Sequence, residues 1–368
     1  MATPPTQKTK KKPAEARPRA DLAVTTQKIL IEKAGSYDRM ALVERPMEAP
    51  KANEVQIDVR ATGVNYADVI VRMGLYASAK ELVGWPITPG FEVSGVVRAV
   101  GADVVDLRPG DEVVAGMLFG GYASVVNVPQ HQVFPKPENV SFEEAAGIPA
   151  VYLTSWFALH YLAHPRKGDR VLIHSAAGGV GSVLVQMAKR LGCEVTGVVG
   201  RTEKVDIAKD LGCDHVIDKS KEDLWARAEA ISPQGFDVIC DANGVETLKA
   251  SYQHTRPAGK LVVYGFATMM PRTGGRPNYL KLAVDYLRTP RFNPLDLTND
   301  SRSILAFNLS YLFDRMDLLS EAMPEILGWV EAGEIAPPRT KTYRLSDVAE
   351  AHKHIESGRS VGKLILVP

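Results

Sequence analysis

The chain has 368 residues, which is enough for about two domains. Its 44 Lys and Arg nearly balance its 43 Asp and Glu, so a protein held to nucleic acid by bulk charge is excluded. A hydrophobic content of 45% excludes disorder along the whole chain. The three cysteines, Cys193, Cys213 and Cys240, are odd in number and widely spaced, which excludes a disulfide framework and predicts a reducing, cytoplasmic location.

Residues 1–22 differ from the rest of the chain and are predicted to form a disordered basic tail. Residues 1–20 contain six Lys and Arg against one Glu, and four prolines oppose a helix. The apolar stretch of a secretory signal is absent from this sequence. A solvated tail is the simpler interpretation, and a weak electrostatic tether to an anionic membrane or to nucleic acid is the alternative.

Short strands separated by turns are predicted between residues 25 and 140. Glu54–Arg60 alternates polar and apolar residues, as a half-buried strand does. Glu92–Val100 and Glu112–Ala115 are further strands, separated by Gly101 and by Pro109–Gly110. This pattern predicts a small β-rich, barrel-like domain.

From about residue 145 onward, strands and helices alternate. Strands are predicted at Arg170–His174, Glu194–Val199, His215–Ile217, Asp237–Cys240, Lys260–Tyr264 and Lys363–Val367. Helices are predicted at Ala150–Ala163, Ser182–Leu191, Thr202–Leu211, Glu222–Ile231 and Leu345–Ser357. Alternating strands and helices with glycine caps are typical of a doubly wound parallel sheet.

A glycine turn joins the strand at 170–174 to the next helix. It fits A-x-G-x-x-G, with Ala176 in place of the first glycine. Gly178 allows the backbone to approach a pyrophosphate, Gly181 allows close packing of helix on strand, and the helix N-terminus attracts the phosphates. The turn predicts dinucleotide binding, and the alternative is an ordinary tight turn. The predicted contacts are Ala177, Gly178, Gly179, Val180 and Gly181.

The end of the next strand indicates which coenzyme is preferred. An NAD site would carry an acidic residue there for the ribose 2′-hydroxyl, and this chain has none. Gly200 leaves room for a phosphate, which Arg201 and Lys204 can neutralise. NADPH is therefore favoured over NADH. The alternative is that both cations lie on a solvated helix face.

Further motifs carry a resemblance to a known family. They are VNYAD (64–68), RMGLY (72–76), PGFEVSGVV (89–97), VG (100–101), PGDEV (109–113) and GKLI (362–365). Together with the glycine turn they resemble zinc-independent quinone oxidoreductases, the zeta-crystallin branch of the medium-chain dehydrogenase/reductase superfamily. The similarity spans about residues 27–368. Within that branch, Phe292–Leu295 and Phe307–Leu312 are similar to the synaptic vesicle amine transport protein family.

This resemblance implies an α/β fold with two domains. Residues 23–148 and 312–368 would form a GroES-like β-barrel domain, and residues 149–311 a Rossmann domain with a doubly wound parallel sheet. The cleft between them would hold nicotinamide and substrate. A homodimer formed through the edge of the Rossmann sheet is also implied.

The chain departs from the zinc-dependent members of the superfamily. Those proteins have His and Cys where this chain has Phe91 and Asn65, and a phenylalanine cannot bind a metal. The four-cysteine zinc lobe is also missing from the sequence. We therefore expect no zinc and no alcohol dehydrogenase mechanism.

Candidate catalytic residues follow from the resemblance. Hydride transfer to a quinone needs no strong acid, whereas an enone also needs a proton from Tyr or water. Asn65, Tyr66 and Tyr76 are expected near the nicotinamide, with Asn65 bonding its ribose or the substrate carbonyl. The alternatives are a turn-stabilising Asn and packed aromatic residues.

Further coenzyme contacts are expected at strand ends, where this fold binds ligands. They are Asn243, Gly265 and Phe266. Phe307 and Leu309 resemble residues of the family that reach the nicotinamide carboxamide through backbone groups, and Lys363 is expected at the cleft. Each has an alternative as a core or loop residue, and Lys363 as a surface lysine on the last strand.

One segment, residues 271–292, combines five cations with three aromatic residues. A substrate lid, a dimer contact and a basic membrane-surface patch are all open interpretations, and helical packing near the cleft is the simplest one. As a whole, the sequence predicts an NADPH-dependent, zinc-independent reductase of small hydrophobic quinones or enones. The alternatives are an enoyl-thioester reductase and a nucleotide-binding, membrane-associated or lipid-associated protein with little turnover.

Overall fold

The computed structural model describes residues 24–272, 274–313 and 315–368, so the tail predicted at 1–22 lies outside the described residues. The first half of the chain is mostly strand. Its strands are β1 (Val24–Leu30), β2 (Ala41–Met47), β3 (Glu54–Val64), β4 (Glu92–Val100), β5 (Glu112–Gly116), β6 (Val125–Pro129) and β7 (Val133–Pro135). Its helices are α1 (Tyr66–Arg72), α2 (Ala77–Leu82) and α3 (Phe142–Ala145).

The second half begins with helix α4 (Pro149–Trp156), which continues as π-helix over Phe157–Ala163. The strands that follow are β8 (Arg170–His174), β9 (Glu194–Val199), β10 (His215–Asp218), β11 (Phe236–Asp241), β12 (Thr255–Val263), β13 (Ser303–Ala306), β14 (Thr340–Arg344) and β15 (Lys363–Val367). The helices are α5 (Gly179–Arg190), α6 (Val205–Asp210), α7 (Leu224–Ile231), α8 (Leu248–Gln253), α9 (Tyr279–Arg288), α10 (Pro294–Asp300), α11 (Met316–Glu331) and α12 (Val348–Glu356).

Two sheets organise these elements. A seven-stranded sheet has the order β14-β15-β3-β4-β5-β7, with β6 also paired to β3, and β1 and β2 form a separate antiparallel hairpin. We call these strands, with α1–α3 and α12, the barrel domain. A parallel sheet has the order β10-β9-β8-β11-β12-β13. We call it, with the segments that connect its strands and the residues that follow β13 up to 311, the parallel-sheet domain.

Each sheet has a core that matches its pattern. Val55, Ile57 and Val93 pack inside the barrel domain, where β3 and β4 have one face turned inward. Every residue of β11 is buried, because helices cover both faces of a doubly wound sheet. Among the described residues, no helix is long and apolar enough to cross a membrane.

Most predicted elements are present, and several differ at their ends. The strands predicted at Glu92–Val100 and Glu194–Val199 have those bounds. The helix predicted from Ser182 begins at Gly179, because the glycines of the turn lie in its first turn. β13, α9 and α10 were not predicted as elements, although α9 carries an amphipathic pattern of Tyr, Leu and Val residues.

Candidate active site

The glycine turn has the geometry that close helix packing requires. A Cβ on Gly181 would overlap the Ser175 carbonyl oxygen and lie 2.8 Å from the Ser175 carbonyl carbon. The Gly178 N–H donates to the Ser175 carbonyl at 2.8 Å, and Gly178 is the extended N-cap of α5. A Cβ on Gly179 would lie 3.3 Å from a Val151 methyl. The turn thus leaves α5 with its free amide groups at the carboxyl edge of the sheet, a cradle suited to a pyrophosphate.

Arg201 and Lys204 lie beyond the end of β9 and face the barrel domain. Lys204 Nζ donates to the carbonyl oxygens of Gly358 (2.9 Å) and Ser360 (2.6 Å), and Arg201 Nη2 lies 3.5 Å from that of Ser357. Burial and then the charge of Arg201 lower the pKa of Lys204. The interpretation of Lys204 as a solvated lysine is therefore wrong, because its ammonium lies between the two domains.

Lys219 is a third cation at this position, and the sequence analysis missed it. It follows β10, and its Cε would lie 3.5 Å from a Cβ on Gly200. The Lys219 N–H donates to the Val199 carbonyl at 3.1 Å, which fixes the residue at the end of β9. The signal was present, because carboxyl ends of neighbouring parallel strands meet at one edge.

Asp241 organises the end of β11. Its carboxylate accepts the Asn243 N–H at 2.8 Å and the Gly244 N–H at 3.1 Å, and it also accepts the hydroxyls of Thr247 and Ser251. A Cβ on Gly244 would lie 2.7 Å from the Phe266 ring. The loops that follow β11 and β12 therefore pack together, with Asn243 buried between them.

The neighbouring strand end holds the other predicted contacts. A Cβ on Gly265 would lie 3.0 Å from the Ala242 carbonyl oxygen, and the Phe266 side chain is 42% exposed. The Phe307 ring lies 4.9 Å from that of Phe157 and belongs to the core that α4 covers. Leu309 borders a small apolar crevice between α4 and α11. Only Phe266 presents a large exposed surface among these residues.

Asn65 belongs to a buried polar cluster on the barrel side of the cleft. Its Nδ2 donates to Glu92 Oε1 at 2.8 Å, and Lys363 Nζ lies 2.5 Å from both Asn65 Oδ1 and Glu92 Oε1. The second Glu92 oxygen accepts the Ala150 N–H at 2.7 Å. Lys363 is 2% exposed, so the alternative of a surface lysine is wrong.

Asp68 binds the backbone of Asn65. Its carboxylate accepts the Asn65 N–H and the Gly90 N–H, each at 2.8 Å. Burial raises the pKa of Asp68 to about 7, against the opposing effect of these hydrogen bonds. The sequence analysis missed both Asp68 and Glu92. The signals available were an acid three residues after an Asn N-cap and a charged residue within an apolar strand.

The two tyrosines each reach the parallel-sheet domain. The Tyr66 hydroxyl is 3.4 Å from the Ala267 carbonyl oxygen, and burial raises the pKa of Tyr66 to about 12. The Tyr76 hydroxyl lies 2.6 Å from Ser310 Oγ and 3.0 Å from Asn308 Oδ1, and burial raises its pKa as well. Both hydroxyls are therefore protonated at neutral pH and lie between the two domains.

Phe91 belongs to an aromatic cluster beside Tyr76. Its ring centroid is 5.9 Å from that of Tyr76 and 5.1 Å from that of Phe119. In residues 24–272, 274–313 and 315–368, no three His, Cys, Asp or Glu side chains are grouped as metal ligands. The residue in the position of the family's zinc-binding histidine packs in an apolar environment.

The fold and the site define an oxidoreductase with a GroES-like barrel domain and a Rossmann domain. The family described as "Alcohol dehydrogenase GroES-like domain" matches residues 51–138, and the one described as "Zinc-binding dehydrogenase" matches residues 179–319. The chain belongs to the medium-chain dehydrogenase/reductase superfamily. The superfamily resemblance in the sequence is confirmed, as is the two-domain α/β fold.

Individual relatives and solved structures show which members of the superfamily this chain is similar to. The chain is 33% identical to the synaptic vesicle membrane protein VAT-1 homolog of Danio rerio, over 96% of this chain and 72% of the relative. The Escherichia coli quinone oxidoreductase complexed with NADPH has a TM-score of 0.80 and 28% identity, covering 94% of this chain and all (100%) of that chain. The CurK enoyl reductase has a TM-score of 0.79 and 26% identity, covering 93% of this chain and 99% of that chain.

Proposed function

We propose that this protein is an NADPH-dependent, zinc-independent reductase that transfers hydride to small hydrophobic quinones or activated alkenes. The observation that carries the NADPH preference is the position of Arg201, Lys204 and Lys219 around the end of β9. Within the described residues, neither Arg201 nor Lys204 forms an ion pair with a carboxylate. Cations that are partly buried without an anion favour a ligand that brings one, such as a 2′-phosphate.

The coenzyme would supply the hydride when bound, and this chain's residues would hold and orient the reactants. Ala177, Gly178, Gly179, Val180 and Gly181 would hold the pyrophosphate, with Gly200 leaving space beside the ribose. Asn65, fixed by Glu92 and Lys363, retains a second N–H on Nδ2 to donate to the ribose or the substrate carbonyl. Asn243, Gly265, Phe266, Phe307 and Leu309 would border the nicotinamide at the strand ends.

Tyr66 is the better candidate for a proton donor. Its hydroxyl makes one long hydrogen bond of 3.4 Å, whereas the Tyr76 hydroxyl has two close partners. A pKa of about 12 keeps Tyr66 protonated until an enolate forms beside it. A quinone would not need this proton in the transition state. Tyr66→Phe should therefore slow enone reduction more than quinone reduction.

The coenzyme preference is tested with three alanine variants. Removing a charged partner costs about 1–3 kcal/mol, so Arg201→Ala and Lys219→Ala should weaken NADPH binding about 5- to 150-fold. NADH binding should change little. Lys209→Ala, on the exposed side of α6 with Asp206, is the control. Equal losses for NADH and NADPH would remove these residues from the phosphate site.

Turnover is tested by following oxidation of the reduced nicotinamide with a naphthoquinone, an ortho-quinone, an alkenal and an enoyl thioester. Quinone or alkenal turnover would support the proposal. The enoyl thioester tests the second candidate, which the similarity to the CurK enoyl reductase favours. Metal chelation should leave the activity unchanged, because Phe91 cannot bind zinc. Stoichiometric zinc in the purified protein would contradict this part.

Helix α9 supports a separate proposal, peripheral membrane association. Tyr279, Leu280 and Leu287 are 69%, 77% and 74% exposed, and arginines lie at either end of the helix. Such a helix suits an anionic bilayer surface, and the relative from Danio rerio is described as a synaptic vesicle membrane protein. Co-sedimentation with anionic vesicles, with and without residues 1–22, tests it. Absence of salt-sensitive binding would contradict it.

The proposed oligomer is a homodimer formed through β13. This strand is at the edge of the parallel sheet and pairs only with β12 among the described strands. An unpaired edge can accept the same strand of a second copy. Size-exclusion chromatography with light scattering measures the mass of the protein in solution. A monomer at micromolar concentration would contradict the proposal.

A further inference from the structure

A segment of the parallel-sheet domain crosses to the barrel domain beside the proposed substrate site. We call its described residues, 265–272 and 274–276, the strap. The Ala267 N–H donates to the Ala242 carbonyl at 3.0 Å, and the Thr268 N–H to the Asn243 carbonyl at 2.9 Å. These bonds hold the start of the strap at the carboxyl edge of the sheet, where ligands bind in this fold.

The far end of the strap docks on the barrel domain through two glycines. The Gly274 carbonyl accepts the Ser36 hydroxyl at 3.3 Å, and the Gly275 carbonyl accepts Arg72 Nη2 at 3.2 Å. Gly275 is buried, and a Cβ there would lie 2.7 Å from the Tyr37 ring and 2.8 Å from Ser36 Oγ. The close contact therefore requires glycine at position 275.

A buried ion pair supports this docking point. Arg72 and Glu356 are both fully buried, with Nη2 of the arginine 2.8 Å from Oε1 of the glutamate. The Arg72 guanidinium lies 4.4 Å from the centre of the Tyr37 ring, and the Tyr37 hydroxyl donates to Glu356 Oε2 at 2.7 Å. A buried pair of this kind often adds no net stability, so its place in the fold calls for another explanation.

We propose that Arg72 is a positioning residue which, with Glu356 and Tyr37, holds the strap closed beside Tyr66 and so strengthens substrate binding. The strap begins at one wall of the cleft, passes the Tyr66 hydroxyl at Ala267 and ends on the other wall. A substrate beside Tyr66 is thus enclosed on this side while Gly275 is docked. The claim about substrate depends on the proposed function, whereas the docking itself does not.

The first test measures the docking by limited trypsin digestion. Arg272 is an exposed cleavage site on the strap, whereas trypsin does not cleave after Arg276 because Pro277 follows it. Gly275→Ala should raise the cleavage rate there at least about tenfold, since local opening governs proteolysis. Gly274→Ala is the matched control: φ is +82° at Gly274 and +64° at Gly275, so both variants carry left-handed strain, but a Cβ at 274 meets nothing within 4 Å. Equal cleavage of the two variants would overturn the docking.

Arg72 is tested in the same assay with Arg72→Met and the conservative Arg72→Lys. Methionine should release the strap, and lysine should restore part of the protection by keeping a charge beside Glu356. If Arg72→Met does not fold, Gly275→Ala still tests the docking of the strap, because that variant keeps the buried ion pair. Cleavage of folded Arg72→Met at the rate of the unaltered protein would overturn the role of Arg72.

The second test uses whichever quinone or alkenal the unaltered protein reduces. Gly275→Ala should raise KM about tenfold and change kcat less than about twofold, because enclosure affects binding more than chemistry. Faster cleavage with an unchanged KM would overturn the role in substrate binding. If the unaltered protein reduces nothing in the panel, the proposed function fails, and the trypsin contrast still decides the docking.

Discussion

Gly181→Ala tests the glycine turn, on which the coenzyme site depends. An alanine at this position adds one methyl group to the first turn of α5. That methyl would overlap the Ser175 carbonyl oxygen, and would lie 2.8 Å from its carbon and 3.0 Å from Ala176 Cα. All three atoms belong to the backbone, so no side chain can rotate to make room. Either β8 or α5 must move.

The expected loss can be set against what alanine normally gains in a helix. Replacing glycine by alanine in a helix interior stabilises a protein by about 0.5–1 kcal/mol. Forcing an extra carbon into a packed site costs about 1–3 kcal/mol, and this contact is at the severe end. With the gain subtracted from a cost at the severe end, Gly181→Ala should lower the free energy of unfolding by about 2 kcal/mol.

Gly328→Ala provides the matched control. Gly328 is inside helix α11, and a Cβ there would meet no atom within 4 Å. This variant should gain about 0.5–1 kcal/mol by helix propensity alone. Urea denaturation followed by circular dichroism measures both variants, and calorimetry measures NADPH binding, which Gly181→Ala should weaken. If Gly181→Ala gains stability as Gly328→Ala does, the assigned turn geometry is wrong.

Three further predictions concern buried groups. Lys363→Met removes the cation beside the buried Glu92 carboxylate and should lower the free energy of unfolding by about 3–5 kcal/mol. Adding Glu92→Gln should recover part of this loss. If urea denaturation gives the same loss for the single and the double variant, the pairing is contradicted. The pKa of Asp68 is raised to about 7, so its contribution to stability is present below about pH 4 and lost as the pH rises towards 7. This decline in stability, which is no more than about 4 kcal/mol, should be absent in Asp68→Asn. Parallel curves of stability against pH for the unaltered protein and the variant would contradict the prediction. Burial raises the pKa of the Cys213 and Cys240 thiols to about 12 and that of Cys193 to about 11, so a disulfide reagent at about pH 8 should label these thiols only after unfolding.

Local patterns in the sequence were sufficient to predict much of the fold. The alternation in β3, the apolar run of β8 and the glycines between β8 and α5 each involve neighbouring residues, so they can be found without knowing the tertiary structure. β3 extends to Val64, four residues beyond the predicted Arg60. Its last residues pair with β15, which is about 300 residues away in the chain, so the longer strand depends on a partner that local periodicity does not show.

The environment of the candidate site residues was harder to predict, because most of their contacts are distant in sequence. Lys363 was open to interpretation as a surface lysine, and its partners Asn65 and Glu92 come from another part of the chain. Lys204 has the same difficulty, since its acceptors follow α12. Residue type and strand position predict that a side chain is near a ligand site. They do not predict which atoms already occupy its hydrogen bonds.

These occupied hydrogen bonds bear on how ligands would bind. Lys204 binds carbonyl oxygens that follow α12, and Tyr76 binds Ser310, so groups proposed for ligand binding already join the two domains. A ligand that takes over such a group exchanges one hydrogen bond for another, so the net gain is well below the full strength of the new bond. A charged 2′-phosphate gains more, because the carbonyl oxygens beside Lys204 carry no net charge. The coenzyme should therefore compete with the domain contact at Lys204 more effectively than a neutral substrate competes with the contact at Tyr76.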